Sequence, residues 1–357
     1  MPIAPAALDN AALMEHVVRR LSAPRPRRRL LRATAWLYVG GLAAVWGIIH
    51  WGGDRWWLAT VAMFGPKWIY AVPLPVLAVV ALLRAGRRGP WAALAIAAVL
   101  VTFPIGRLCI PWRTWLGGAR PNLTVLTCNT GHERCDTSRL AALIADVKPD
   151  IVCLQEFRGE TEPLFNSQWR VFRSGDIVVA TREPAARIDV VKRAMPKRWP
   201  RPICQIVRID RSSGPFFLAA VHCLSPRHGL AAVTDARTIL APSRQSVLVE
   251  QTFNRRSEHQ RLRARLRELE GPLLVVGDFN VPTTSTIYRQ CWAHLQNAFT
   301  EAGWGWGYTV NIQQGGLAFS ARVDHVLADD SWRVAECWQG PDGISDHRPV
   351  IARLSTR

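Results

Sequence analysis

The sequence predicts an α/β fold in which two packed β-sheets carry helices on their outer faces, preceded by an N-terminal segment of three transmembrane helices. Three observations predict it. Short apolar runs of strand length alternate with amphipathic helices from residue 122 to residue 357. Six short polar sequence signatures, each at the end of such a run, are rich in Asp, Asn, Glu and His. Upstream, three long apolar runs lie within residues 34–106.

The apolar runs predict three membrane spans. They cover about residues 34–51, 68–83 and 91–106, each near the length that crosses the hydrocarbon layer, the second and third slightly short. Tryptophans stand at the edges of the second and third runs, where aromatic belts form. Residues 55–68, between the first two runs, are expected to lie at the membrane interface. The alternative is a buried helical hairpin in a soluble protein, but three such runs with Trp and Arg at their edges favour lipid.

The distribution of Lys and Arg predicts the orientation. Residues 1–33 form a basic tail with seven Arg, and the turn at 84–88 holds three more, whereas the loop between the first two spans holds only Arg55 and Lys67. Basic residues are retained in the cytoplasm, so the tail and the turn are predicted to be cytoplasmic. Three spans then make this an integral protein of the plasma (inner) membrane with an extracytoplasmic catalytic domain, residues 122–357, joined by a Gly/Pro linker at 107–121.

Charge and cysteine content narrow the function classes. The net charge is +18, but residues 1–120 hold 15 Lys and Arg against 3 Asp and Glu, so most of the excess lies outside the signature region. A nucleic-acid partner is therefore possible but less favoured. None of the eight Cys forms a CxxC pair, which argues against a zinc site. Cys204 and Cys223 could form a disulfide if their strands are neighbours.

Along the catalytic domain, strands and helices are predicted from the spacing of apolar residues and from the turn residues that bound each run. The strands are short apolar runs bounded by turn residues, and the helices show apolar residues every three or four positions, as Leu262, Leu266 and Leu269 do. The predicted strands are Leu123–Cys128, Ile151–Leu154, Ile177–Thr181, Ile203–Ile209, Phe216–His222, Leu273–Val276, Val323–Leu327 and Val350–Leu354; the predicted helices are Leu140–Val147 and Ser257–Glu270.

The polar signatures are the candidate site. Carboxylates, carboxamides and imidazoles that converge at strand ends suit one hard cation and one phosphate group, because Mg²⁺ prefers few carboxylates plus substrate oxygens. A histidine held by a carboxylate can act as an imidazolium donor or a base. The candidates are Asn129, Glu156, His222, Asp278, Asn280, Asp324, Asp346 and His347. His132, His228 and Glu133 are candidates for the rim, and His325 has the wrong strand parity for the same face.

On these residues, the region 122–357 resembles the endonuclease/exonuclease/phosphatase family, which has the DNase I-like fold. The resemblance implies a four-layer α/β/β/α sandwich and hydrolysis of phosphate esters with Mg²⁺, or alternatively Mn²⁺. It implies metal-site roles for Asn129, Glu156 and Asp346. It implies catalytic roles for His222, Asp278, Asn280, Asp324 and His347, with Asp324 and His347 as a dyad. One departure is Gly131, where some nucleases of the family carry an acid.

Three function hypotheses follow. A three-span anchor ahead of this domain resembles the membrane-bound branch of the family, which implies a polyprenyl pyrophosphate or a similar lipid-linked phosphate in the outer leaflet, with membrane lipids as the other partner. The second is an anchored extracytoplasmic nuclease, and the third is a metal-free binding domain with a dead site. The sequence indicates no obligate protein partner.

Overall fold

The chain forms two compact units. The computed structural model describes residues 26–85, 89–115, 120–193, 201–234, 242–314 and 317–357. Unit 1 comprises Met1–Trp46 and Lys67–Ile105, and unit 2 comprises Gly47–Pro66 and Gly106–Arg357. Most of the predicted basic tail lies outside the described residues. The domain limits derived from the sequence stay predictions. The division into units differs from them because residues 47–66 belong to unit 2, which contains the strands.

Helices dominate the N-terminal region. They are α1 (Pro26–Gly52), α2 (Trp57–Phe64), a 3₁₀ turn (Lys67–Ala71), α3 (Pro73–Ala85), and α4 (Trp91–Leu100), which a π turn (Val101–Ile105) continues. Within the described residues, two helices are long and apolar enough to cross a membrane, Arg28–Gly52 and Lys67–Arg84, and Trp91–Ile105 is shorter. The structure thus offers two candidate spans by this measure, and the third span stays a proposal.

Unit 2 contains the remaining elements. Its later helices are α5 (Trp112–Trp115), α6 (Thr137–Val147), α7 (Arg227–Thr234), α8 (Pro242–Leu266), α9 (Thr286–Cys291) and α10 (Ala298–Ala302). Its strands are β1 (Leu123–Asn129), β2 (Ile151–Gln155), β3 (Arg170–Ser174), β4 (Ile177–Thr181), β5 (Ala185–Lys192), β6 (Pro202–Arg211), β7 (Gly214–His222), β8 (Leu273–Asp278), β9 (Gln296–Asn297), β10 (Val310–Gln314), β11 (Leu317–Ala321), β12 (Asp324–Ala328), β13 (Trp332–Gln339) and β14 (Val350–Thr356).

The strands form two six-stranded sheets, as the alternation of apolar runs predicts. Their orders are β13-β14-β1-β2-β4-β3 and β5-β6-β7-β8-β12-β9, with β10 and β11 as a separate pair. Strands such as β2 and β4 are buried along their whole length because one face meets the other sheet and the other face meets helices. The DNase I-like α/β fold with two sheets is confirmed.

Strand register brings the polar signatures together. β7 runs parallel to β8 and pairs His222 with Asp278, while β12 runs antiparallel to β8 and pairs Asp324 with Asp278. In the other sheet, β1 runs parallel to β2 and pairs Asn129 with the residue before Glu156. Residues far apart in sequence therefore meet at one end of the strands, because His222 and Asp278 close β7 and β8 while Asp324 begins the antiparallel β12.

Two sequence predictions need correction. Helix α8 begins at Pro242, not at Ser257, because it extends through a polar stretch in which packing against α7 replaces apolar periodicity. At that packing a Cβ on Gly229 would lie 3.0 Å from Leu248 Cα, so the helices approach closely there. Residues 55–68 were expected at the membrane interface, but Ala59, Met63 and Phe64 of α2 are buried within unit 2. All eight cysteines, including Cys204 and Cys223, are free thiols.

Candidate active site

Asp278 is the central carboxylate of the cleft. It is 1% exposed and accepts hydrogen bonds from the Asn129 side chain (2.9 Å) and from the backbone and side-chain nitrogens of Asn280 (2.8 and 2.9 Å). Asn280 has φ +53°, a left-handed conformation that Asn tolerates better than most residues, which turns its amide back onto the carboxylate. Burial and the charge of Asp324 raise the pKa of Asp278, against the opposing effects of His347, His222 and Asn129.

His347 and Asp324 form a dyad, as the resemblance implies. The His347 Nδ1 lies 2.8 Å from Asp324 Oδ2, and the Asp324 side chain is 1% exposed. Burial alone would lower the pKa of His347, but the adjacent Asp324, with further help from Asp278 and Asp346, raises it to about 10. The ring is therefore an imidazolium at neutral pH, and its other nitrogen can donate a hydrogen bond to an anion.

Glu156 lies between two histidines. Its Oε1 is 3.3 Å from His222 Nε2 and its Oε2 is 3.2 Å from His132 Nε2, while Asn129 Nδ2 lies 3.4 Å from Oε1. Burial would raise the pKa of Glu156, but the hydrogen bond and charge of His222, the charge of His132 and the Asn129 amide outweigh it and lower the pKa to about 2. Glu156 is consequently ionised throughout the physiological range.

Asp346 stands beside two arginines. Its Oδ2 is 3.0 Å from Arg134 Nη1 and 3.8 Å from Arg227 Nη2, while its Oδ1 is buried without a hydrogen-bond partner among the described residues. A Cβ on Gly131 would come within 2.5 Å of that oxygen, and Gly131 has φ +61°. The departure from an acid at this position therefore leaves the space in which the Asp346 carboxylate lies.

Two groups of side chains could hold a divalent cation. Asp278, Asp324 and His347 offer ligand atoms within 4.8 Å of one another. His347 is a poor ligand, however, because Asp324 occupies Nδ1 and the raised pKa keeps the ring protonated. The resemblance assigns the metal to Asn129, Glu156 and Asp346. Of their oxygens, Asp346 Oδ1 is buried without a hydrogen-bond partner among the described residues, which suits a hard cation, whereas Asn129 Oδ1 accepts a hydrogen bond from the Gly131 N–H at 3.0 Å.

The cleft is lined by both polar and apolar side chains. Its volume is about 110 Å³. The polar lining residues are Asn129, Glu156, Asp278, Asn280, Asp346 and His347, together with Arg227. The apolar lining residues include Phe64, Leu230, Val310, Ala321 and Val323. Such a cleft suits a molecule that joins an anionic group to an apolar one.

All eight predicted site residues meet here. Six line the cleft, His222 reaches it through Glu156, and Asp324 reaches it through His347. His325 does not: it is buried, with Nε2 2.9 Å from the Val281 carbonyl oxygen and Nδ1 3.1 Å from Asn297. From sequence, His132 is predicted only at the rim, and Arg227 and Phe64 are not predicted at all. His132 follows the Asn129 signature by three residues, but no sequence pattern points to Phe64.

Two packed β-sheets with a cleft of carboxylates and imidazoles at their strand ends are typical of a metal-dependent phosphoesterase. The sequence matches the Endonuclease/Exonuclease/phosphatase family over residues 126–347. The match covers more than half of the chain, which therefore belongs to this family, and the protein is a hydrolase of phosphate esters that depends on a divalent metal.

Several solved structures are similar to this chain. An endonuclease/exonuclease/phosphatase from Beutenbergia cavernae is 20% identical, with a TM-score of 0.46, over 66% of this chain and 72% of that one. The 3′ phosphatase NExo from Neisseria, bound to a product DNA hairpin, is 17% identical, with a TM-score of 0.48, over 66% and 100%. D. rerio TDP2 with single-strand DNA product is 12% identical, with a TM-score of 0.47, over 66% and 99%. No curated protein matches the sequence.

Proposed function

We propose that this protein is a membrane-anchored phosphoesterase that hydrolyses a lipid-linked phosphate or pyrophosphate, such as a polyprenyl pyrophosphate, at the outer leaflet. The observation that carries the proposal is the mixed lining of the cleft. The carboxylates and the His347 imidazole line the same cavity as Phe64, Leu230 and Val323. A nucleotide backbone would place charge along its whole length, whereas a lipid phosphate joins one charged group to an apolar chain and so matches both linings.

The apolar helices support a membrane anchor. Only 17% of the apolar window in Arg28–Gly52, and 6% of that in Lys67–Arg84, is buried within the protein, unlike the core helix of a soluble domain. Exposed side chains on these helices include Leu37 (77%) and Leu83 (81%). Exposing such large apolar side chains to water is unfavourable, so lipid is their expected surroundings.

The order of segments supports three spans. Gly47–Pro66 and Gly106–Arg357 belong to one compact unit, so both would lie on the same side of a membrane. If Lys67–Arg84 crosses, Trp91–Ile105 must cross back, although it is shorter. The basic tail and the Arg-rich turn then lie in the cytoplasm, and the active site lies outside.

In this proposal Asn129, Glu156 and Asp346 hold Mg²⁺ or Mn²⁺. The cation supplies charge neutralisation at the phosphate oxygens when bound. Asp278, fixed by Asn129 and Asn280, orients the attacking water and accepts its proton. His347, held protonated by Asp324, donates a hydrogen bond to a phosphate oxygen and stabilises the charge that develops there.

The accessory residues have supporting roles. His222 keeps Glu156 ionised and oriented, and His132 contacts the other oxygen of the same carboxylate. Arg227, at the first turn of α7, lines the cleft beside Asp346 and is placed to contact a further phosphate oxygen. These roles place positive charge around an otherwise acidic cleft, which an anionic substrate requires.

A nuclease remains the second hypothesis, but α8 does not favour it. A nuclease would need basic side chains along a groove, and α8 is rich in arginine. Arg255 is instead fully buried and Arg256 contacts Gln290 and the Asp54 carbonyl oxygen, so both are engaged within the protein. These two side chains therefore do not supply positive charge to a groove that a DNA backbone could follow.

A substrate panel on the full chain in detergent tests the proposal. Farnesyl pyrophosphate should be hydrolysed with Mg²⁺ at a kcat/KM at least about tenfold above that for a DNA oligonucleotide with a 3′ phosphate. EDTA should abolish turnover and added Mg²⁺ should restore it, because the acidic cleft repels the phosphate without a cation. Preference for DNA would support the nuclease, and no hydrolysis of any substrate with metal would support the binding domain.

Protease accessibility tests the orientation. A protease added outside intact cells should cut the catalytic domain, because residues 106–357 are proposed to be extracytoplasmic. Immunoblotting for a C-terminal tag, beside a cytoplasmic marker that stays intact, measures the result. Digestion that occurs only after lysis would show the opposite orientation.

A further inference from the structure

The segment Gly47–Pro66 is part of the phosphoesterase unit, although some sixty residues separate it from the first strand in sequence. Its helix α2 packs against α8 and β11. Ala59, Thr60 and Met63 are nearly inaccessible, with exposures of 0%, 2% and 2%. Helix α2 ends at Phe64, and Gly65 after it has an extended backbone.

Asp54 holds this segment in place. Its carboxylate pairs with Arg255 Nη1 at 3.3 Å, with neither side chain exposed, and it accepts a hydrogen bond from Ser285 Oγ. Thr286 Oγ1 donates to the Gly53 carbonyl oxygen at 2.8 Å, and Arg256 donates to the Asp54 carbonyl oxygen at 3.0 Å. A buried charge with this many partners fixes position more than it adds stability.

Arg255 connects the segment to the catalytic residues. Its Nη2 donates to the Asn280 backbone oxygen at 2.7 Å, and Asn280 in turn contacts Asp278. The Arg255 guanidinium carbon lies 5.6 Å from the centre of the Phe64 ring. One buried arginine therefore contacts both the catalytic turn at Asn280 and the Phe64 ring that lines the cleft.

We infer that Phe64 is a specificity-determining residue that contacts the first carbons of the substrate's apolar chain. The inference rests on the proposed function, and it deepens that function by naming the subsite. Phe64 is 5% exposed and lines the same cleft as Leu230, Val323, the carboxylates and His347. An apolar chain attached to a phosphate at Asp278 and His347 would therefore leave the phosphate beside these apolar side chains, and the Asp54–Arg255 pair holds the segment that carries Phe64.

The test compares two soluble pyrophosphates that share the scissile group, one with an apolar chain and one without. The full chain should prefer farnesyl pyrophosphate to methyl pyrophosphate. Phe64→Ala should lower kcat/KM for the farnesyl compound about tenfold, mostly through KM, because the contact is made equally in the ground and transition states. The same variant should stay within about twofold of the parent on the methyl compound, and Phe64→Leu should recover most of the preference.

Control variants and outcomes separate the possibilities. Phe253→Ala removes an aromatic ring that is 66% exposed on α8 and should leave the ratio of the two kcat/KM values unchanged. An equal fall on both substrates in Phe64→Ala and Phe64→Leu, or an unchanged ratio, would overturn the inference while leaving the proposed function standing. If the parent hydrolyses neither pyrophosphate but cleaves DNA, the inference about Phe64 and the proposed function are both refuted.

Discussion

Asp278→Asn is expected to lower kcat/KM by about a thousandfold, the usual scale for loss of a positioned base. The amide keeps the volume of the carboxylate but cannot accept a proton from water. Asp278 is buried and already receives three hydrogen bonds from Asn129 and Asn280, so its charge is directed into the cleft. Steady-state hydrolysis with saturating Mg²⁺, on the best substrate of the panel, measures the effect.

The control for this prediction is an exposed carboxylate. Asp342→Asn alters a side chain that is 73% exposed and should stay within about twofold of the parent. The melting temperature of Asp278→Asn should lie within a few degrees of the parent value, which separates loss of chemistry from loss of fold. Activity in Asp278→Asn within tenfold of the parent would count against the assignment of the site.

Asp54→Ala is expected to destabilise unit 2 by about 3–5 kcal/mol. The change leaves the Arg255 guanidinium buried without its carboxylate, and both side chains are 0% exposed. A fall in melting temperature on the order of 10 °C should result. Because Arg255 also contacts Asn280, turnover should fall at temperatures where the variant is still folded.

A double variant isolates the cause. Asp54→Ala combined with Arg255→Met removes both charges and should recover much of the lost stability, since a buried pair often loses little when replaced by apolar groups. The control is Asp189→Ala, which breaks the Arg265–Asp189 pair (2.7 Å) whose side chains are 29% and 36% exposed. Such a surface pair should contribute under about 1 kcal/mol. Equal destabilisation by Asp54→Ala and Asp189→Ala would refute this prediction.

Most of the fold was predictable because its signals are local. The apolar run before His222 and the run before Asp278 read as strands, and both are strands, β7 and β8. Their alternation with helices predicted two sheets. The boundaries were less predictable: α8 extends to Pro242 because Leu248 packs at Gly229, a contact that no periodicity in the polar stretch reveals.

The site was predictable to the same extent and for the same reason. Asn129, Glu156 and Asp278 end or follow buried strands and His347 lies just before one, so these residues could be named as one group at the strand ends before any geometry was known. His132 was placed only at the rim, because its contact with Glu156 depends on a left-handed backbone at residue 132 (φ +59°).

The sequence by itself determined the polar signatures and their order along the chain, the family, and the apolar character of the N-terminal helices. These features depend on neighbouring residues and on the spacing of apolar positions. Only the tertiary structure decided that Asp54 meets Arg255, that this arginine is buried rather than solvated, and that Phe64 and Asp278 line the same cleft. These contacts join segments some two hundred residues apart. Their energy comes from burial and pairing in three dimensions, which no local pattern records.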